Sequence, residues 1–244
     1  LWLARELVKR GWQPGIVSRG YGGQNTQPRP VTAQAAAVDV GDEPILLARR
    51  SGVPIWIGRD RAAAGRALLL AEPGTDVLLC DDGLQHYRLG RDVEIAVFDG
   101  RGAGNGWRLP VGPLREPMSR LREVDAIVCN GAADERLPAQ IPSFSMRLQP
   151  GAFYRLDIAG QTATAAQLAG KKLYALAGIG DPWRFFRTLA GLGLQCETHP
   201  FPDHHAYAAP DLAFAADGVL LMTEKDAVKC AGLTAGETWV LPVE

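Results

Sequence analysis

Asp76-Val77-Leu78-Leu79-Cys80-Asp81-Asp82-Gly83-Leu84-Gln85-His86-Tyr87 is the stretch from which the rest of the chain is read. Val77 to Cys80 is a short apolar run, the pattern of a strand buried on both faces. It leads straight into two adjacent carboxylates. Open α/β proteins bind ligands at the carboxyl ends of their parallel strands. In phosphate-transfer enzymes an acid at such a tip holds magnesium and, through it, the nucleotide phosphates. Asp and Gly are also common turn residues, so an Asp-Asp-Gly turn accounts for the same letters. Gln85, His86 and Tyr87 add three polar groups to that corner and favour a site.

Working outward, the same kind of segment recurs. Pro14 to Ser18 and Pro54 to Ile57 precede it. Val93 to Phe98 follows, ending at Asp99-Gly100, and then Ala126 to Cys129, ending at Asn130-Gly131. Helical periodicity fills the gaps: Leu1 to Arg10 stopped by Gly11, Ile45 to Arg50 closed by Gly52, an Ala- and Leu-rich run from Arg59-Asp60-Arg61 to Ala71, and Met118 to Val124. Strands alternating with helices predict an α/β fold with a mainly parallel sheet. From about Pro142 the character changes. Ser143 to Leu148 and Ala152 to Ile158 alternate apolar and polar residues around Gln149-Pro150-Gly151, which predicts an antiparallel hairpin. A smaller α/β unit follows, with strands at Leu173 to Ala177 and Val219 to Met222, helices ending near Leu192 and spanning Ala227 to Ala231, and an edge strand at Trp239 to Val243. The expected organisation is a domain over 1–142, a two-stranded hinge over 143–160 and a smaller domain over 161–244.

The 244 residues are 47% hydrophobic, enough for a substantial core, and 26 basic residues nearly balance 27 acidic ones. That balance carries no nucleic-acid footprint. Cys80, Cys129, Cys196 and Cys230 form no CxxC pair and read as reduced core residues of a cytoplasmic protein. No apolar run reaches the roughly 18 residues of a membrane span.

Several clusters carry candidate chemistry. Ser18-Arg19-Gly20-Tyr21-Gly22-Gly23 combines a hydroxyl, a fixed cation and three glycines that let backbone approach a ligand; a flexible turn with one Arg reads equally well. The polar segment from Gln24 to Val38 reads as a surface excursion. Asp42, in Gly41-Asp42-Glu43-Pro44, has the sequence of a helix N-cap, a role that does not exclude chemistry. Arg61 either holds a phosphate or is a solvated first-turn residue. The loop over 100–116 is long enough to be functional or disordered, and it ends in Arg115-Glu116. Gly178-Ile179-Gly180 falls short of a dinucleotide fingerprint. Asp203-His204-His205 suits an imidazole paired to a carboxylate better than one metal shared by two adjacent His. Thr223-Glu224-Lys225-Asp226 reads as a cap and charged first turn for the next helix.

Taken together, seven ordered motifs resemble the tetraacyldisaccharide 4'-kinase family of lipid A biosynthesis across essentially the whole chain. They are Ser18-Arg19-Gly20-Tyr21-Gly22-Gly23, Gly41-Asp42-Glu43-Pro44, Asp81-Asp82-Gly83-Leu84-Gln85-His86, Leu109-Pro110 with Gly112-Pro113-Leu114-Arg115-Glu116, Gly178-Ile179-Gly180, Asp203-His204-His205 and Thr223-Glu224-Lys225-Asp226. Each alone is weak; the ordered set is specific. The resemblance implies a P-loop kinase that moves the γ-phosphate of ATP to the 4'-hydroxyl of a tetraacylated glucosamine disaccharide. It also implies a peripheral enzyme on the cytoplasmic face of the bacterial inner membrane, with no nucleic acid and no obligate protein partner. In that scheme Asp42 is the base with His204 as its partner, and Arg61 and Arg115 meet transition-state charge. Asp81 and Asp82 hold Mg2+, while Gln85, Arg19 and Glu116 serve the metal-nucleotide site. His204 would reach Asp42 only when two domains close about the hinge.

The family's phosphate loop, GxxxxGK[ST], is absent; Gly170-Lys171 is followed by Lys172. The expectation is that a preceding segment carries the loop and any membrane anchor, so that this chain alone binds ATP poorly and the full-length parent is the competent kinase. Two other classes fit the sequence less well. A nucleotide- or lipid-binding module without chemistry has no use for a base and its partner, and a soluble P-loop ligase would act on a small molecule.

Overall fold

Pro14–Ser18 is buried at every position and occupies an inner place in a sheet ordered Arg29–Pro30, Ile55–Ile57, Pro14–Ser18, Val77–Cys80. Its two neighbours pair with it in parallel, and Arg29–Pro30 closes one side antiparallel to Ile55–Ile57. The computed structural model describes residues 1–23, 27–131, 134–234 and 236–244. Helices Trp2–Lys9, Asp42–Ser51 and Arg61–Ala71 flank this sheet. Ala4, Ile16, Val40, Ile45, Ile55 and Ile57 form its core together with Val228 from the far end of the chain.

A six-stranded sheet runs Cys196–Pro200, Leu173–Ala177, Val219–Thr223, Thr238–Leu241, Phe153–Arg155, Thr162–Ala163. The first four strands are mutually parallel and the last two antiparallel. Fully buried Leu176, Leu221, Met222 and Val240 fill its two faces. Ile95–Phe98, Ala126–Asn130 and Ser143–Met146 make a separate parallel sheet of three. By packing, the chain divides into two compact units: residues 1–83 with 150–244, and residues 84–149. The mainly parallel α/β class expected from the strand–helix alternation is the class observed. No helix among the described residues is long and apolar enough to cross a membrane.

Several expectations need correction. Val77–Cys80 is half-buried rather than buried on both faces and, among the described residues, pairs with Pro14–Ser18, which is buried at every position. The hairpin about Pro150 does not form. Ser143–Met146 joins Ala126–Asn130 in parallel, whereas Phe153–Arg155 joins Thr238–Leu241 and Thr162–Ala163. Alternation reports which face of a strand is buried and is silent about its partner. Thr238–Leu241 is an inner strand, buried at all four positions, rather than an edge. Met118–Arg122 is a 3₁₀ turn. Residues 24–26 of the expected surface excursion lie outside the described residues; beyond them Arg29–Pro30 joins the sheet and Ala37–Val40 forms a helical turn with Val40 fully buried.

Leu221 has no exposed surface and Leu70 is 84% exposed. Leu221→Ala is expected to lower unfolding free energy by about 2–5 kcal/mol through a cavity. Leu70→Ala stays within about 0.5 kcal/mol. Urea unfolding of both variants measures the contrast.

Candidate active site at the carboxyl ends of the parallel strands

Register places the first cluster. Val17 lies opposite Cys80, which sets Ser18 beside Asp81 where the two strands end. The Asp81 N–H donates to the Val17 carbonyl at 2.9 Å, and Ser18 Oγ donates to Asp81 Oδ2 at 3.0 Å. Asp82 turns the chain in the left-handed region at φ 48, a conformation Asp tolerates better than most residues. Its carbonyl accepts from Arg61 Nη2 at 3.3 Å. Arg61 is 6% exposed, so the solvated first-turn reading does not hold. Desolvation by surrounding protein raises the Asp81 carboxyl above its ordinary range; Ser18 pulls the other way, and the charges of Glu43 and Asp82 push it further up. A carboxylate so placed is short of positive charge.

Magnesium suits this donor set. It takes oxygen ligands, keeps several waters, and is held by one or two carboxylates plus substrate phosphates. Among the described residues no three His, Cys, Asp or Glu side chains form a metal-holding cluster, which excludes a closed protein cage but not such an open site. Asp81, Asp82 and the Ser18 hydroxyl supply the oxygens it would use.

The second cluster is built by close backbone packing. Gly41 has φ 87, and a Cβ there would lie 2.3 Å from the Tyr21 carbonyl oxygen, so only glycine lets the two loops meet. Asp42 then opens the helix Asp42–Ser51 as its first residue. The cap is Gly41, not Asp42, and Asp42 Oδ1 accepts the N–H of Glu43 at 3.0 Å. Asp42 is 4% exposed. Its Oδ2 lies 3.3 Å from His204 Nδ1 but makes no hydrogen bond among the described residues. His204 sits at φ 59, with its N–H bonded to Asp203 Oδ1 at 3.0 Å and its ring 5.3 Å from that of Tyr21. Lys225 Nζ spans Glu43 Oε1 at 3.0 Å and Asp203 Oδ1 at 3.1 Å, tying the helix to the histidine loop. Asp42 and His204 belong to one compact unit, so their approach requires no hinge closure.

Arg19 is exposed and lines a cleft of about 160 Å³ with Gly20–Gly23 and Arg59, a cationic cradle walled by backbone. The remaining candidates lie in the unit over 84–149. There Gln85 Nε2 donates to Glu116 Oε2 at 2.7 Å, and the Tyr87 hydroxyl donates to the other Glu116 oxygen. Arg115 is exposed on the same loop. His205 pairs with Asp211 at 3.1 Å, away from Asp42.

The sequence reading passed over part of the surroundings. Thr223 does cap its helix, accepting from the Asp226 N–H. Asp226 itself has no exposed surface and accepts from the Gly178 N–H, the Tyr207 hydroxyl and the Thr223 hydroxyl. Glu224 is buried against Arg50 at 2.6 Å, with burial raising its carboxyl. The Asp226-to-Lys229 spacing was the available signal, and it reads equally well as a solvated helix face.

A family model described as LpxK, tetraacyldisaccharide-1-P 4'-kinase, matches residues 1–244. Tetraacyldisaccharide 4'-kinase of Dechloromonas aromatica is 69% identical over 245 residues, covering all of this chain and 74% of that protein. The enzyme of that name from Methylobacillus flagellatus is 47% identical, covering all of this chain and 71% of its own length. The crystal structure of the "apo" form of LpxK from Aquifex aeolicus in complex with ATP superposes with a TM-score of 0.81 at 26% identity, over 99% of this chain and 77% of that one. The fold is of the P-loop type.

Because the Asp81 carboxyl is raised, its contribution to stability is present below the ordinary carboxylate range and lost as pH rises through the raised value. Asp81→Asn is therefore expected to melt higher than the parent at pH 7–8, with the gap closing toward pH 4. Calorimetric melting across that range checks the sign; a variant less stable at neutral pH contradicts it.

Proposed function

We infer for this chain, which belongs to the tetraacyldisaccharide-1-P 4'-kinase family, transfer of the γ-phosphate of ATP to the 4'-hydroxyl of a tetraacylated glucosamine disaccharide, the lipid A precursor. The observation that carries the reading is the buried Asp42 carboxylate with one oxygen held by helix backbone and the other facing His204. A hydroxyl nucleophile must lose its proton as the bond to phosphorus forms, and a carboxylate with one unbonded oxygen is a suitable acceptor. His204, with Nδ1 3.3 Å from Oδ2, orients that carboxylate.

Phosphoryl transfer needs alignment and charge neutralisation more than covalent chemistry. Bound magnesium would neutralise phosphate charge, held by Asp81 and Asp82. Arg61, anchored on the Asp82 carbonyl, holds its guanidinium beside that tip. Arg115 is assigned to transition-state charge, and Arg19, Gln85 and Glu116 to the nucleotide phosphates and metal. For an acylated substrate we infer a peripheral location at the cytoplasmic face of the inner membrane.

In the enzyme, Asp42→Ala and His204→Ala are each expected to lower kcat by about 10²- to 10⁴-fold, the usual range for a positioned base. ATP affinity, followed by calorimetric titration, should stay within a few fold of the parent. Equal loss of turnover and ATP binding removes Asp42 from the role of base.

A further inference from the structure

We propose that Lys229 is a positioning residue whose buried ammonium holds the Asp42 carboxylate in its His204-facing position; the proposal rests on the reading of Asp42 as base. Lys229 lies on the helix Glu224–Cys230, its side chain 9% exposed. Nζ stands 3.8 Å from Asp42 Oδ2 and 3.4 Å from Asp226 Oδ1, and it makes no hydrogen bond among the described residues. Asp42 Oδ2 is likewise buried without one. An unbonded buried ammonium facing an unbonded buried oxygen is costly unless the pair serves a group that arrives later.

The geometry also shows what fixes Lys229. Asp226 cannot follow it, being locked by the Tyr207 hydroxyl at 2.9 Å, the Thr223 hydroxyl at 2.6 Å and the Gly178 N–H at 3.2 Å. A Cβ on Gly178 would stand 2.4 Å from the Tyr207 oxygen, so this close packing requires glycine. The Tyr207 ring covers the ammonium, 5.0 Å from its centroid. Lys229 thus lies between two carboxylates, Asp226 Oδ1 at 3.4 Å and Asp42 Oδ2 at 3.8 Å, and of these two oxygens it is the Asp42 one that lacks a hydrogen bond among the described residues.

Other titratable groups around the trio do not substitute for it. Burial, then the charge of Asp226, holds the Tyr207 phenol well above its ordinary range, and burial pushes the Cys230 thiol up to about 12. Both are neutral at working pH. Lys225 is partly desolvated, but Glu43 and Asp42 outweigh that and keep it charged; its hydrogen bonds go to Glu43 and Asp203. Tyr21 packs its ring 5.3 Å from that of His204. Lys229 is the cation that faces Asp42 Oδ2.

The test uses Lys229→Met and Lys229→Arg in the enzyme. Lys229→Met is expected to lower kcat about 10- to 100-fold with KM for ATP unchanged, the scale of a misplaced catalytic group. Lys229→Arg, which keeps the cation, should recover most of that rate. A parental kcat in a folded Lys229→Met overturns the proposal, and so does a loss that Lys229→Arg fails to recover. If Lys229→Met does not fold, Lys229→Gln is read by the same criteria. The Asp42→Ala background separates this proposal from the reading beneath it. A Lys229→Met loss that persists there shows that Lys229 does not act through Asp42 and overturns the proposal, whereas parental turnover in Asp42→Ala alone removes Asp42 as base.

Discussion

Asp226 is a carboxylate with no access to water, and that constraint organises one whole end of the larger unit. An isolated buried charge is expensive; what makes this one tolerable is a full set of donors around it. The donors come from three segments distant in sequence: Gly178 at the end of Leu173–Ala177, Tyr207 beyond the histidine loop, and Thr223 at the end of Val219–Thr223. Satisfying one carboxylate therefore fixes the end of the sheet, the start of the last helix and the loop that presents His204. The strained φ of 59 at His204 is held by what surrounds it.

A second constraint is parallel register. In a parallel sheet every strand delivers its last residues to the same edge, so Ser18 and Asp81 become neighbours although 63 residues separate them. The glycine-lined contact between the 20–23 loop and Gly41 then sets Asp42 near that edge. Glu43 lies close enough for its charge to act on Asp81. Two functional clusters thus follow from strand pairing and two tight loops, with no long-range motion invoked.

How much of this was legible depends on what each signal encodes. Pro14–Ser18, Val77–Cys80 and Leu173–Ala177 were read with the bounds observed, because each is an apolar run ended by turn or charged residues. Pairing was not legible: the alternation at 143–158 was right about strands and wrong about a hairpin, since a period of two carries no partner. Trp239 looked like an edge strand because nothing in Thr238–Leu241 states that Phe153–Arg155 will lie beside it. The approach of Asp42 to His204 came from resemblance, for 162 residues of separation leave no local trace. Lys229 left only its spacing from Asp226, which in Glu-Lys-Asp-Ala-Val-Lys looks like any solvated helix face.

The geometry at Asp42 separates what fixes the carboxylate from what leaves it open. Asp42 is 4% exposed, and its Oδ1 accepts the Glu43 N–H at 3.0 Å. Its Oδ2 is faced by His204 Nδ1 at 3.3 Å and by Lys229 Nζ at 3.8 Å, with no hydrogen bond among the described residues. A carboxylate held this way, with one oxygen left unbonded, remains able to accept a proton while its position is fixed. Those two demands usually conflict, because the hydrogen bonds that fix a carboxylate also occupy its lone pairs. Here Glu43 N–H and a cation out of hydrogen-bonding geometry fix the group, and Oδ2 stays open.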